Sequence, residues 1–312
     1  MDNPYLISEF TLYYAQLLIP DFALILCGYL ICRFTALDRT VWSQIEKLVF
    51  YFLFPVLLFS SIVKSPIHLN EVSNFIAAGL LTGVCTVGLA YALPFLPGFK
   101  HHFTSRDHAA SAQIAFRFNS FIGLALAERL AGAPGLLLIS VLIGICVPLF
   151  NMAAVWPMAR HGKQGFIGEL LRNPFIIATV SGLACNLLGF RFPDWIAPTV
   201  NRIGGASIPL GLMAAGAGMQ FATLAKAKTL AISVLTIRHV MAPVIALTLS
   251  LLFKLSPVQA TVLMMFSALP TAPTAYVLAA RMGFDGGYVA GLVTLSTLLG
   301  VLSLPFALSL IN

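Results

Sequence analysis

The chain has 312 residues, of which 59% are hydrophobic and only 9% are charged. Soluble domains carry about 25% charged residues, so this composition excludes an ordinary water-soluble fold and predicts a membrane protein. The formal charge of +7 does not indicate nucleic-acid binding, because the basic residues are thinly spread and lack interleaved aromatic residues. The five cysteines fall in apolar segments at irregular spacings, which fits neither a disulfide framework nor a zinc site.

Apolar runs bounded by charges, prolines and glycines predict an all-α protein with ten membrane-spanning helices. Strands are excluded because the open edge of a sheet cannot be satisfied in lipid. The first ten residues lack the positive charge that begins a cleavable signal peptide, so we expect the first helix to be retained. The predicted spans are 11–32, 41–63, 73–96, 108–128, 134–157, 171–190, 196–221, 229–253, 258–280 and 287–310.

The connections between the predicted spans set the orientation of the chain. The odd-numbered loops carry ten Lys and Arg residues, whereas the even-numbered loops carry four. Because cytoplasmic loops are enriched in these residues, we predict a multi-pass protein of the cell (inner) membrane with both termini outside the cytoplasm.

The two halves of the sequence resemble each other at a nearly constant offset. Each half holds five predicted spans, an odd number, so the second copy must enter the membrane from the opposite side. Such an inverted repeat is typical of secondary transporters. It divides the chain into a first repeat (1–157), a short cytoplasmic linker (158–170) and a second repeat (171–312). The pairs that align at an offset of 154 are Pro20 with Pro174, Gly28 with Gly182, and Pro55 with Pro209.

The ninth predicted span contains two prolines, Pro270 and Pro273, and its counterpart in the first half is the fourth span. Each proline removes a backbone donor and clashes with the carbonyl four residues earlier, so we expect this helix to break near 270–273. The repeat predicts an equivalent break near 118–121. Two broken helices that cross would direct their positive half-helix ends at one point, and Arg117 beside them suits a carboxylate. This pattern predicts an anion site.

Several stretches of the sequence resemble the auxin efflux carrier family of membrane transporters, over about residues 10–310. The resemblance implies two inverted five-helix halves in which the fourth and ninth helices cross. Members of the family include bacterial carriers of malonate and similar organic acids, and plant carriers of auxin. The resemblance also implies that Asn119 contacts the substrate carboxylate. The stretches are IAFRFNSFIGLALA at 114–127, RNPFIIATVSGL at 172–183, IPLGLMAAGAGM at 208–219 and ALPTAPTAYVLAARMG at 268–283.

The predicted substrate site combines residues of both crossovers. Some of these residues could instead have structural roles. Arg117 would then pair with Glu128 or reach a membrane surface, and Thr271 and Thr274 would only satisfy carbonyls freed by the breaks. We expect neither a metal nor a cofactor, and no nucleic-acid partner. The predicted set is Arg117, Asn119, Ser120, Pro270, Thr271, Pro273, Thr274 and Tyr276.

Three further charged residues are candidates for coupling or support of transport. Glu46 and Lys47, near the start of the second span, form either an interfacial pair or a charged support beside the pathway. Arg238 in the eighth span lies either near the membrane centre or against the static part of the protein. Only one acidic residue, Glu128, lies close to the crossover, so sodium coupling is not expected. Proton coupling through Glu46 or Asp21 and plain uniport both remain open.

The predicted function is secondary transport of a small organic anion, an auxin-like monocarboxylate or a dicarboxylate, by elevator-type alternating access. Spans one, two, six and seven would form a static unit that is also the contact of a homodimer in the lipid bilayer. An intramembrane enzyme is not expected, because no nucleophile–base pair, aspartate pair or histidine cluster appears at membrane depth. The alternative is a channel-like protein or a sensor built on a transporter fold.

Overall fold

The computed structural model describes residues 4–64, 69–97, 103–159, 174–219 and 228–311. Every regular element in these ranges is helical, which confirms the all-α prediction. Residues 160–170 of the predicted linker lie outside the described ranges. The helices are α1 (Pro4–Phe34), α2 (Arg39–Lys64), α3 (Leu69–Ala92), α4 (Ser105–Ser111), α5 (Ser120–Ala159), α6 (Pro174–Leu187), α7 (Ala197–Ala217), α8 (Lys228–Leu252), α9 (Pro257–Ala268), α10 (Thr274–Arg281) and α11 (Gly286–Ser309).

The helical stretches fit a bilayer in both length and composition. A helix needs about 20 apolar residues to cross the hydrocarbon core. Five stretches of the described chain meet this requirement, so the protein is a multi-pass membrane protein. They are Arg39–Lys64, Ser73–Phe95, Ser105–Met158, Lys228–Leu252 and Gly286–Ser309.

Helix α5 is a run of 40 residues with one sharp turn at Gly132. This glycine has a φ of +58°, in the left-handed region that a side chain disfavours. The turn lies between the fourth and fifth predicted spans, 108–128 and 134–157. The kink at Gly132 therefore separates two helices at the point where the sequence predicts a loop.

Helices α2 and α8 each contain a π-helical turn, at Val49–Leu53 and Ile237–Met241. Both turns begin six residues before a proline, Pro55 in α2 and Pro243 in α8. Proline cannot donate to the carbonyl four residues earlier, and a wider turn accommodates that loss without ending the helix. In α8 this turn also carries Arg238, which reaches the candidate site described below.

Helices α1 and α7 pack with their backbones in direct contact. A Cβ atom added at Gly28 would lie 1.9 Å from the carbonyl oxygen of Met213, and one at Gly216 would lie 1.7 Å from that of Ile25. Only glycine permits so close an approach. Helix α2 packs against both α6 and α7, so the four helices expected to form one unit lie together.

Candidate functional site

The first interruption lies between α4 and α5. A short 3₁₀ turn follows α4, and the chain is non-helical over 116–119, close to the break predicted near 118–121. Asn119 caps the start of α5, because its Oδ1 accepts hydrogen bonds from the amides of Phe121 at 3.0 Å and Ile122 at 3.4 Å. Asparagine is a strong N-cap residue since its carbonyl satisfies amides that a helix start leaves free.

The second interruption lies between α9 and α10. The chain leaves the helical conformation after Ala268 and resumes it at Thr274, so the prolines break this helix where predicted. Arg238 is almost fully buried and donates from Nε to the carbonyl of Leu269 and from Nη2 to that of Phe266 at 3.0 Å. A cation at a helix C-terminus satisfies its free carbonyls and opposes the helix dipole. Arg238 therefore supports the break.

The two interruptions are joined by hydrogen bonds. The amide of Asn119 donates to the carbonyl oxygen of Pro270 at 2.8 Å. The hydroxyl of Thr271 donates to the carbonyl of Ile114 at 2.7 Å, and the amide of Thr271 donates to Ser296 Oγ at 3.0 Å. Backbone groups freed by each break are thus satisfied by protein rather than lipid, as a membrane interior requires.

Arg117 lies buried between the two interruptions. Its Nη1 donates to Gln113 Oε1 and its Nη2 to Thr274 Oγ1, both at 2.8 Å. Both partners are neutral, so Arg117 does not pair with Glu128. The two ion pairs in the described part of the chain, Asp21 with Arg129 and Arg39 with Glu46, lie elsewhere. Arg117 consequently brings an unneutralised positive charge to the site.

Donors remain available beside this charge. The guanidinium of Arg117 has five N–H groups, and neighbouring side chains occupy two of them. The amide nitrogen of Asn119 has no partner among the described residues, because its hydrogen bonds to α5 use only the oxygen. That capping role fixes the orientation of the amide, since only oxygen can accept from backbone N–H groups. Together these donors can receive a carboxylate.

The other predicted site residues divide between this cluster and a neighbouring contact. Pro270 is buried, whereas Ser120 and Pro273 are partly exposed and no hydrogen bond of the Ser120 side chain is found in the described ranges. Tyr276 accepts a hydrogen bond from Arg39 Nη2 on α2. The same guanidinium binds both carboxylate oxygens of Glu46, at 2.8 and 2.9 Å.

Lys47 belongs neither to the cluster around Arg117 nor to the contact of Arg39 with Tyr276 and Glu46. Its side chain is exposed, and its Nζ lies 3.5 Å from Gln44 Oε1 on the same helix. A contact this long on an exposed helix face contributes little. Glu46 pairs with Arg39 rather than with Lys47, so a role of Lys47 in support of transport stays a prediction.

Comparison with known proteins identifies the class. Residues 157–308 match the family described as "Membrane transport protein". Along 95% of both chains this protein is 25% identical to a Rhizobium meliloti (strain 1021) protein named "Putative malonate transporter". It is also 22% identical, over 89% of this chain and 92% of the other, to an uncharacterized transporter of Methanocaldococcus jannaschii. An uncharacterized transporter of Methanothermobacter thermautotrophicus is 23% identical over 90% of this chain and 93% of its own.

The match to a membrane transport family and the transporter names of these relatives bear out the resemblance to auxin efflux carriers and the expectation of a transporter rather than an enzyme. Three residues of this transport protein escaped the sequence analysis: Gln113, Ser296 and Arg39. Gln113 stands four residues before Arg117, a spacing that places both on one helix face, so this partner was predictable. Nothing local in the sequence relates Ser296 to Thr271, because they lie on different elements.

Proposed function

We propose that the chain is a secondary transporter, which moves a small organic anion across the membrane by elevator-type alternating access. The observation that carries the proposal is the buried guanidinium of Arg117, held at the junction of two broken helices by neutral partners only. A buried charge is costly unless it is paired. An anionic substrate would supply the missing countercharge each time it binds.

The proposed site recognises a carboxylate through hydrogen bonds and charge together. Arg117 offers a planar pair of N–H groups that matches a carboxylate. The amide nitrogen of Asn119 offers a third donor. Similarity to a protein named as a putative malonate transporter supports a dicarboxylate as the substrate. The same donors would also bind the single carboxylate of an auxin-like monocarboxylate.

The proposed architecture has ten spans in two inverted repeats, with the interrupted helices crossing near the middle of the bilayer. In this arrangement α4 with the first part of α5 would be the fourth span, and α9 with α10 the ninth. Both termini would lie outside the cytoplasm of the cell (inner) membrane. The ten-to-four bias of Lys and Arg between the predicted loops supports this orientation.

The proposed movement is that of one rigid unit against another. Helices α1, α2, α6 and α7 would form the static unit and the contact of a homodimer. The remaining helices would carry the anion site across the membrane. The close glycine packing of α1 on α7 supports a rigid static unit, because backbones in direct contact leave little room to slide.

Transport by purified protein in liposomes tests this function. We expect uptake of radiolabelled malonate to saturate. We also expect it to accelerate when unlabelled malonate fills the liposome interior, because the site of a carrier can then return to the outside with malonate bound. Asn119→Asp should take up much less malonate, since aspartate keeps the cap of α5 but replaces the free donor with a negative charge. Flux that neither saturates nor exchanges would favour the channel-like alternative. Specific binding without flux would favour a sensor.

A further inference from the structure

Gln113 lies in the 3₁₀ turn between α4 and the first break, and it is 1% exposed. Its side chain uses both ends of the amide. Nε2 donates to the carbonyl of Ala110 at 2.9 Å and to that of Ala275, across the second break, at 3.2 Å. Oε1 accepts from Arg117 Nη1 at 2.8 Å, and the backbone carbonyl of Gln113 accepts from the amide of Arg117 at 2.9 Å.

These partners determine which way the amide faces. A backbone carbonyl cannot donate, so the two carbonyls must be opposite Nε2, and Oε1 must therefore face the guanidinium. Gln113 thus holds Arg117 with a dipole rather than a charge. A glutamate of the same length would also hold it, but as an ion pair.

We propose that Gln113 is a positioning residue that makes the site selective for anions, and for dianions over monoanions, by orienting Arg117 without neutralising it. The inference rests on the proposed function. A carboxylate at this position would cancel the charge that the substrate meets. Because Coulomb energy is proportional to the substrate's own charge, that cancellation must penalise a dianion twice as much, in free energy, as a monoanion.

The test compares malonate with propionate, which have three carbons each and carry two charges and one. Binding constants are measured by titration calorimetry of the purified full chain in detergent, for the native protein and for Gln113→Glu. We expect affinity to fall about tenfold for propionate and about a hundredfold for malonate. Gln259→Glu is the matched control: it adds the same charge at the capping box of α9, where glutamate and glutamine serve equally, and should leave both affinities unchanged.

A second variant covers the case in which Gln113→Glu does not fold. Thr274→Asp puts a carboxylate on the other partner of Arg117, at an exposed first position of α10 that favours acidic residues. It should show the same unequal loss. Equal losses for the two ligands, or no loss, would overturn the charge role of Gln113 while leaving the anion site in place. If the native protein bound neither malonate nor propionate, that result would contradict the proposed function as well.

Discussion

The backbone amide of Asn119 donates a hydrogen bond of 2.8 Å to the carbonyl oxygen of Pro270. This bond joins the two helix interruptions directly, so each break supplies a group that the other lacks. In a membrane interior such groups cannot be satisfied by water. The shape of each interruption therefore depends on the other, and substitutions at one should affect the geometry of both.

Asn119 has two separable roles, and two substitutions distinguish them. Asn119→Asp keeps an oxygen that caps α5 but loses the free N–H donor, so malonate affinity should fall tenfold or more while the thermal unfolding midpoint stays near the native value. Asn119→Ala loses both, and should also destabilise the protein by about 1 kcal/mol. Calorimetric titration and thermal unfolding in detergent measure the two effects. Native affinity in Asn119→Asp would remove this amide from the site.

Arg117→Lys tests whether the guanidinium holds its neighbours and the substrate at once. Lysine keeps the charge, but its ammonium cannot reproduce the planar arrangement that spans Gln113, Thr274 and a carboxylate. Losing one hydrogen bond to a charged group costs about 1.5–3 kcal/mol, or roughly tenfold to a hundredfold in malonate affinity. Arg202→Lys, at an exposed position of α7, is the control. Unchanged binding in Arg117→Lys would make Arg117 a structural charge.

The position of both breaks could be predicted from the sequence because proline chemistry is local. Pro270 and Pro273 cannot continue a helix, and the repeat inferred from the sequence extends that expectation to the stretch around Asn119. The capping role of Asn119 was also within reach, because asparagine favours helix starts.

Contacts between distant elements could not be predicted in the same way. Arg238 was ambiguous in the sequence, since its charge gives no direction, and only the fold shows it at the carbonyls of Leu269 and Phe266. Tyr276 was assigned to the substrate site, yet its hydroxyl meets Arg39 on α2. Such pairings depend on how helices pack, and a single sequence carries little information about packing partners.

Arg238→Met should destabilise the protein without abolishing malonate binding. The substitution keeps an unbranched apolar stem but leaves the carbonyl of Leu269 without its donor, and leaves that of Phe266 with only the longer bond of 3.4 Å from the Leu269 amide. An unsatisfied buried group costs about 1–3 kcal/mol. We expect a clearly lower thermal unfolding midpoint in detergent. Arg202→Met, on an exposed surface, serves as the control and should change little. An unchanged midpoint in Arg238→Met would show that the break does not depend on this cap.

Gly216→Ala tests the backbone contact between α1 and α7. The added methyl group would lie 1.7 Å from the carbonyl oxygen of Ile25, so the helices must separate. Overpacking of this kind costs about 1–3 kcal/mol. Gly205→Ala, on the same helix but with no atom within 4 Å of the new methyl group, should be neutral or slightly stabilising. Equal unfolding midpoints for the two variants would contradict the close packing.

Tyr276→Phe distinguishes a residue that contacts the substrate from one that links two parts of the protein. The hydroxyl accepts a hydrogen bond from Arg39, which joins α2 to α10, and in the proposed mechanism these helices belong to units that move past each other. A bond between moving units must break in every cycle, so its removal should speed exchange of malonate across liposome membranes. Affinity should stay within about twofold of native, because a phenyl ring preserves the packing. Tyr51→Phe, at an exposed position of α2, is the matched control. A tenfold loss of malonate affinity in Tyr276→Phe, with an unchanged exchange rate at saturation, would instead return Tyr276 to the substrate site that the sequence predicted.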